Sequence, residues 1–434
     1  MKTNAQRAAD TVGCLLAHQI ADVVICAGAR NAPLIRPILE QETIRVWRHF
    51  DERSAAFFAL GLAKKKGKPV ALVTTSGTAA AELLPASIEA YYSGIPLLLI
   101  TADRPERFRG SGAPQAIEQV RLFGGYASFC EDPIETLSWN GRGPLHLNLC
   151  LEEPEAPAGD SQEPSVFELE QLPRNETQIE LPEFPKHTIA IVGELPEHLR
   201  KDALTFLKKL NAPTWCEATS GLRESSGIEI ITDEAVFSSL DCEMVIRVGG
   251  VPSLRFWRDL ETREDIEVIN LTHTGFSGLA RDSTTFTIQE GWVDDLTLLD
   301  RSDQIRSNSV CLEIEDLGPE ERVIRKLSEI IPSDALLLLG NSLPIREWNR
   351  VATTKISHSH CFANRGANGI DGELATWFGL SEGEAESWAI LGDLTTLYDL
   401  NAPWVLDQLG KGRRRIVVIN NGGGKIFSKL PSMK

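Results

Sequence analysis

The sequence has no run of about 18 consecutive apolar residues, so no membrane-spanning helix is expected. Its opening, MKTNAQRAADTVG, lacks the long apolar region of a secretory leader, and a cytoplasmic protein is expected. Basic residues are in deficit: lysine and arginine total 44 against 61 aspartates and glutamates, a formal net charge of −17. That balance argues against nucleic acid or an anionic membrane as partner, although a local group of arginines can still bind a small anion. Eight cysteines are scattered at positions 14, 26, 130, 150, 216, 242, 311 and 361, and none forms a CxxC pair. Neither a zinc site nor a dithiol redox centre is visible, and a disulfide framework is not expected at these spacings. The cysteines read as buried free thiols in a reducing compartment.

What is present is a soluble-protein composition, 42% apolar and 24% charged, in a chain of 434 residues. At roughly 100–200 residues per domain, that length suggests about two to four domains. Short apolar runs alternate with helical patterns throughout. In the first block, 1–151, strands are expected at Ala21–Ala27, Ile44–Phe50, Val70–Thr74, Pro96–Thr101 and Pro144–Cys150, with helices over 5–20, over Glu52–Lys66 and from Thr78. A Glu- and Pro-rich stretch, 152–186, reads as an exposed linker. A second block, 187–315, repeats the rhythm with strands at Thr188–Gly193, Met244–Gly249 and Ile266–Asn270. It is Rossmann-like but has no GxGxxG after its first strand, so dinucleotide binding is not expected there. A third block, 316–434, has strands at Ala335–Leu339, Trp388–Leu391 and Arg415–Ile419. The expected fold class is α/β, with three doubly wound domains.

Ligands of open α/β sheets bind beyond the carboxyl ends of strands. In the third block those ends carry Gly340-Asn341-Ser342, Gly392-Asp393 and Asn420-Asn421-Gly422-Gly423-Gly424. A carboxylate and, 28 residues later, an amide on neighbouring strand ends can share a hard cation. Magnesium suits such a set, because it takes oxygen ligands and keeps room for a phosphate-bearing partner. Taken singly, the same residues are ordinary helix caps and turns.

The GD and NN pairs together resemble the binding motif of thiamine-diphosphate decarboxylases and synthases. Their continuations, GDLTTLYDLNA and NNGGGKIF, resemble the version in the 2-succinyl-5-enolpyruvyl-6-hydroxy-3-cyclohexene-1-carboxylate synthase family. Phe50-Asp51-Glu52-Arg53, the segment Cys26–Pro33, TTSGTA from Thr74, TADRP from Thr101, GAPQAI from Gly112, GNSLPIR from Gly340 and NRGANGIDG from Asn364 resemble that family as well. The resemblance implies thiamine diphosphate with magnesium or manganese as cofactors. It implies 2-oxoglutarate and isochorismate as substrates, a place in menaquinone biosynthesis, and a homodimer or homotetramer.

By the same resemblance, residues 1–151 bind the aminopyrimidine and 316–434 bind the diphosphate and metal. Glu52 and Gln115 are the catalytic residues. Asp393, Asn421 and the carbonyl of Gly423 hold the metal. Glu52, Gly77, Ile370, Asp393, Leu394, Asn421, Gly423, Ile426 and Phe427 contact the cofactor. Arg30, Arg104, Ser342, Arg346, Arg365 and Arg255 receive substrate carboxylates, for which charge-assisted, bidentate pairs are well suited.

The sequence departs from the family in several turns. Ala27-Gly28-Ala29 stands where proline and serine are usual, so one phosphate or hydroxyl contact is expected to be missing. Pro114 and Lys425 replace typical amides. Between Phe129 and Pro144 only a brief acidic turn is expected where the family has a helix. The chain stops 41 residues past Asp393, so a third domain shortened at its C-terminus is expected, with an uncovered sheet edge. Two alternatives remain open at this stage: another thiamine-diphosphate 2-oxoacid decarboxylase, or a truncated, non-catalytic protein that keeps the fold.

Overall fold

A computed structural model describes residues 2–131, 139, 141–153, 162–166, 179–294, 296 and 316–429. Most of the expected linker, and Cys311, lie outside them. The chain forms three parallel sheets. The first holds β1 (Asp22–Ile25), β2 (Arg45–Arg48), β3 (Val70–Thr74), β4 (Leu97–Asp103), β5 (Ser128–Glu131) and β6 (Leu145–Cys150), in the order β2-β1-β3-β4-β6-β5. The second holds β7 (Thr188–Val192), β8 (Thr214–Cys216), β9 (Met244–Val248), β10 (Glu267–Thr272) and β11 (Thr284–Thr287), in the order β11-β10-β9-β7-β8. The third holds β12 (Leu336–Leu339), β13 (Cys361–Phe362), β14 (Glu386–Gly392) and β15 (Arg413–Ile419), in the order β13-β12-β14-β15.

The central strands, such as β3, β4, β7, β9 and β12, are buried on both faces, which is why they read as continuous apolar runs and not as alternations. In β7, Ala190 and Val192 enter one core while Ile189 and Ile191 enter the other. β9 divides likewise, with Met244, Ile246 and Val248 on one side and Val245 on the other. Helices therefore have to cover both faces, and the doubly wound class follows.

The expected strands are all present, within a few residues of their expected ends. Four strands had not been expected. β5, β8, β11 and β13 are two to four residues long, too short to carry a periodic signal. β5 corrects one expectation directly: Cys130 and Glu131 belong to a strand paired with β6, not to a turn. The first helix ends at Ala17, earlier than the expected Ile20, and the helix from Thr78 breaks after Ala81 and resumes at Leu84.

The chain divides into two compact units. One comprises Met1–Arg174, Gly369–Gly383 and Thr395–Gly412 and contains the first sheet. The other comprises Asn175–Asn368, Glu384–Leu394 and Arg413–Lys434 and contains the second and third sheets. Within the first unit the helix Glu52–Lys66 packs along the helix Glu373–Leu380. A Cβ on Gly61 would strike the carbonyl of Thr376, and one on Gly379 would strike the carbonyl of Phe58. Only glycine allows this approach of two backbones.

The seven described cysteines are free thiols. No helix among the described residues is long and apolar enough to cross a membrane.

Candidate active site

In the first unit, chain order reverses between β1 and β3, and the turns after these strands meet there. A Cβ on Gly28 would sit 2.5 Å from the Cβ of Thr75, so this turn has room only for glycine at that position. Asn31 ties its turn together: its Oδ1 accepts from Gly28 N at 2.8 Å and its Nδ2 donates to Cys26 O at 2.8 Å. Arg30 is buried, and donates to Leu151 O at 3.1 Å and to the exposed Glu153 carboxylate at 2.6 Å.

Glu52 opens its helix directly after Asp51, which caps it by accepting from Ser54 N at 2.9 Å. The Glu52 carboxyl is half-buried. Its pKa is raised, by loss of water first and by the neighbouring carboxylates of Asp51 and Glu82, against the pull of its own backbone amide. Cys26 stands close enough to feel both acids. Burial first, then Glu52 and Asp51, push its thiol far up.

Gly77 has φ 84°, a conformation that suits glycine, and a Cβ there would come within 3.1 Å of Gln115 Cα. The structure thus brings Gly77 and Gln115 together, with Gln115 exposed and itself at φ 58°. Sequence reasoning missed what holds them. Gln119 is wholly buried; its Oε1 accepts from Gly77 N at 2.8 Å, and its Nε2 donates to Asn148 Oδ1 at 3.0 Å. Asn148 Nδ2 donates to Asp103 Oδ2 at 3.0 Å, and Asp103 Oδ1 accepts from Arg104 N at 2.7 Å. A chain of buried amides therefore links the Gly77 turn to Arg104. The guanidinium of Arg104 lies 5.3 Å from the Phe108 ring, and its buried Nε has no hydrogen-bond partner. Ile370, also in this unit, is half-buried.

In the second unit, β14 and β15 run in register and end together at Gly392 and Ile419. Asp393 joins the two ends. Its Oδ2 accepts from Gly422 N at 3.1 Å and Gly423 N at 2.8 Å, and its Oδ1 from Leu394 N at 2.7 Å. Three bonds leave about one of its four lone-pair directions unused. Asn421 Nδ2 is taken by Glu320 at 3.2 Å, which leaves its Oδ1 as the donor atom for a cation. The Asp393 carboxylate, the Asn421 side-chain oxygen and the carbonyls of the 422–424 turn are all hard oxygens, the donor type that magnesium and manganese take. Among the described residues there is no rival group of three or more His, Cys, Asp or Glu. Leu394 packs against Gly423, while Leu394 and Phe427 are exposed and Ile426 is half-buried.

Ser342 follows β12 with φ 71° and ψ −118°, a strained conformation for a residue with a side chain. Such strain costs about 1–3 kcal/mol and persists where the surroundings fix it. Arg346 donates to Ser342 O at 2.6 Å. The Arg346 pKa is lowered, first by partial shielding from water and then by the charge of Arg365, while Glu217 and Glu234 act the other way. Glu234 also accepts from Arg255 N at 2.6 Å, so Arg255 belongs to the same neighbourhood. The Arg255 side chain is exposed and lies 3.5 Å from Asp259.

Residues 7–122 match the family described as thiamine pyrophosphate enzyme, N-terminal TPP binding domain. The chain is similar to the 2-succinyl-5-enolpyruvyl-6-hydroxy-3-cyclohexene-1-carboxylate synthase of Akkermansia muciniphila, 42% identical over 95% of this chain and 82% of that protein. It is similar to the proteins of the same name from Bdellovibrio bacteriovorus, 37% identical over 99% of this chain and 87% of the relative, and from Bacillus velezensis, 32% identical over 95% and 82%.

Proposed function

The chain belongs to the 2-succinyl-5-enolpyruvyl-6-hydroxy-3-cyclohexene-1-carboxylate synthase family, and from that membership we propose that it decarboxylates 2-oxoglutarate and adds the succinyl carbanion to the conjugated double bond of isochorismate. The product belongs to menaquinone biosynthesis. Thiamine diphosphate is the cofactor, and when bound it supplies a nucleophilic thiazolium carbon and an electron sink for the decarboxylation.

The observation that carries the reading is the Asp393 carboxylate, which accepts from Gly422 N and Gly423 N and so joins the ends of β14 and β15. Asp393, Asn421 and the Gly423 carbonyl are the ligands for magnesium or manganese. Gly77, Ile370, Leu394, Ile426 and Phe427 contact the cofactor, with Ile370 as the apolar wedge beneath it. Residues 1–151 form the aminopyrimidine-binding part, 187–315 the central part and 316–434 the diphosphate and metal part.

Glu52 acts by holding a proton. A carboxyl whose pKa is raised by burial donates a hydrogen bond to a ring nitrogen more readily than an exposed one. Gln115 holds an oxygen of the substrate or intermediate. Arg30, Arg104, Arg346, Arg365 and Arg255, with the Ser342 hydroxyl, receive carboxylates. They supply the local positive charge that a chain of net charge −17 otherwise lacks. The functional unit is a cytoplasmic homodimer or homotetramer.

The test is isochorismate consumption with 2-oxoglutarate and magnesium, with and without thiamine diphosphate. Consumption is expected to need both the oxoacid and the cofactor. Carbon dioxide release that is indifferent to isochorismate would point to a simple decarboxylase, and no consumption at all would sink the proposal.

A further inference from the structure

Glu217 lies immediately after β8 and is wholly buried, a costly place for a carboxylate. Two donors of one residue hold it: Ser253 N and Ser253 Oγ each reach Oε1 at 2.7 Å. Its Oε2 has no hydrogen-bond partner. The cation facing it is Arg365, only 6% exposed, whose Nη2 stands 3.7 Å from Glu217 Oε1. That separation suits charge attraction but exceeds the ~2.7–3.2 Å of a hydrogen bond.

Arg365 is held from its other side. Its Nη1 donates to Asn341 Oδ1 at 3.0 Å, and Asn341 Nδ2 donates to Asn364 O at 2.8 Å. Its Nε and Nη2 make no hydrogen bond although both are buried. These two atoms form one edge of the guanidinium, the edge that binds a carboxylate side-on through two parallel bonds. Buried donors left unmade are costly, so an edge of this kind suits an acceptor that can reach both atoms.

A glutamate this close could be expected to fill that edge itself. Its Oε1 is instead held at hydrogen-bond distance by both donors of Ser253, and stays 3.7 Å from Nη2. We propose that Glu217 is a positioning residue: Ser253 holds it back so that it balances the buried charge of Arg365 without occupying the Nε–Nη2 edge, which stays open for a substrate carboxylate. The inference rests on the reading that Arg365 receives substrate. It makes opposite demands on two neighbouring residues, which a purely structural role does not.

Glu217→Gln keeps an acceptor for Ser253 but removes the negative charge that repels an incoming carboxylate. The KM for the substrate bound at Arg365 is expected to fall, roughly threefold to tenfold, with little change in kcat. The thermal midpoint of the unliganded variant is expected to fall and to be restored by chloride or succinate. Ser253→Ala removes the hydroxyl donor and leaves only the backbone N–H on Oε1, which loosens Glu217 toward Arg365 and lets it compete with substrate, so the same KM is expected to rise roughly twofold to fivefold.

Arg365→Gln serves as the reference, measured for 2-oxoglutarate and isochorismate separately. If it leaves both KM values unchanged, the substrate role of Arg365 is wrong. If it raises one, while Glu217→Gln and Ser253→Ala shift that KM in the same direction or not at all, the role given to Glu217 is wrong. Should Glu217→Gln not fold, a rise in KM for Ser253→Ala supports the proposal and an unchanged KM overturns it.

Discussion

His146 shows how much one buried side chain can commit a protein to neutral pH. Thr101 has a single hydroxyl proton, which it gives to Asn148 Oδ1 at 2.9 Å. At 2.7 Å from His146 Nε2 it must therefore accept, which fixes the imidazole as the neutral Nε2–H form. Burial lowers the His146 pKa to about 3. His49, two residues before Asp51, is lowered to about 4 by burial, against the pull of Asp51. Below pH ~6.5 the unfolded chain takes up protons at both positions that the folded chain refuses. Stability is then lost as pH falls from ~6.5 toward 4, by up to about 1.4 kcal/mol per pH unit for each histidine. The thermal midpoint is expected to drop between pH 7 and pH 5, and His146→Gln should flatten that slope. An unchanged slope in the variant would assign the acid sensitivity elsewhere. Glu52 and Asp393 could be singled out in the sequence because each follows a strand and stands in a motif that resembles the family's. His146, Gln119 and Glu217 could not. Their roles depend on Thr101, Asn148 and Ser253, partners tens of residues away with no fixed spacing.

Among the elements, the crossing of the helices Glu52–Lys66 and Glu373–Leu380 is the most demanding. A methyl group at Gly61 has a backbone carbonyl in its way, not a side chain that could rotate aside. The helices must separate to admit it. Overpacking of this kind typically costs about 1–3 kcal/mol. Gly61→Ala is expected to lower the urea midpoint even though alanine is the better helix former by about 1 kcal/mol. An unchanged or higher midpoint would mean that the seam yields. The sequence predicted the first of these helices from Glu52 to Lys66, which is where it runs. Its glycine carried no meaning until the partner helix was known. Strands were legible in proportion to length and burial. The apolar runs of β3 and β7 were found within a residue, whereas β11, Thr-Thr-Phe-Thr and largely exposed, offers neither apolar run nor alternation.

At the scale of the whole molecule, sequence order and spatial order part company. The unit built on the first sheet takes in residues 369–383 and 395–412. Asn401 Nδ2 donates to Asp51 Oδ2 at 2.6 Å, and the buried Asp399 accepts from Ser54 Oγ at 3.2 Å, so the cap of the Glu52 helix is completed by residues about 350 positions later. A fragment of residues 1–174 is expected to lack a cooperative unfolding transition, because the wall against the 52–66 helix is missing. A sharp calorimetric transition in that fragment would show that the wall is dispensable. Block boundaries drawn from composition could not anticipate this arrangement, since a helix pattern does not reveal which sheet it will cover.

The same non-contiguity sets a timetable for the ribosome. Chains grow at about 5–20 residues per second, so the segment that caps Asp51 emerges roughly 20–70 s after Asp51 itself. For that interval the nascent chain leaves uncovered the side of its helix, around Phe57, Phe58 and Gly61, that lies against the 372–380 segment in the folded unit. Such exposed surface is what chaperones recognise and what neighbouring nascent chains aggregate through. Synonymous codons that slow translation between residues 175 and 368 would lengthen the exposure. The yield of native protein should therefore depend on elongation speed across a stretch that contributes no residue to the unit being completed.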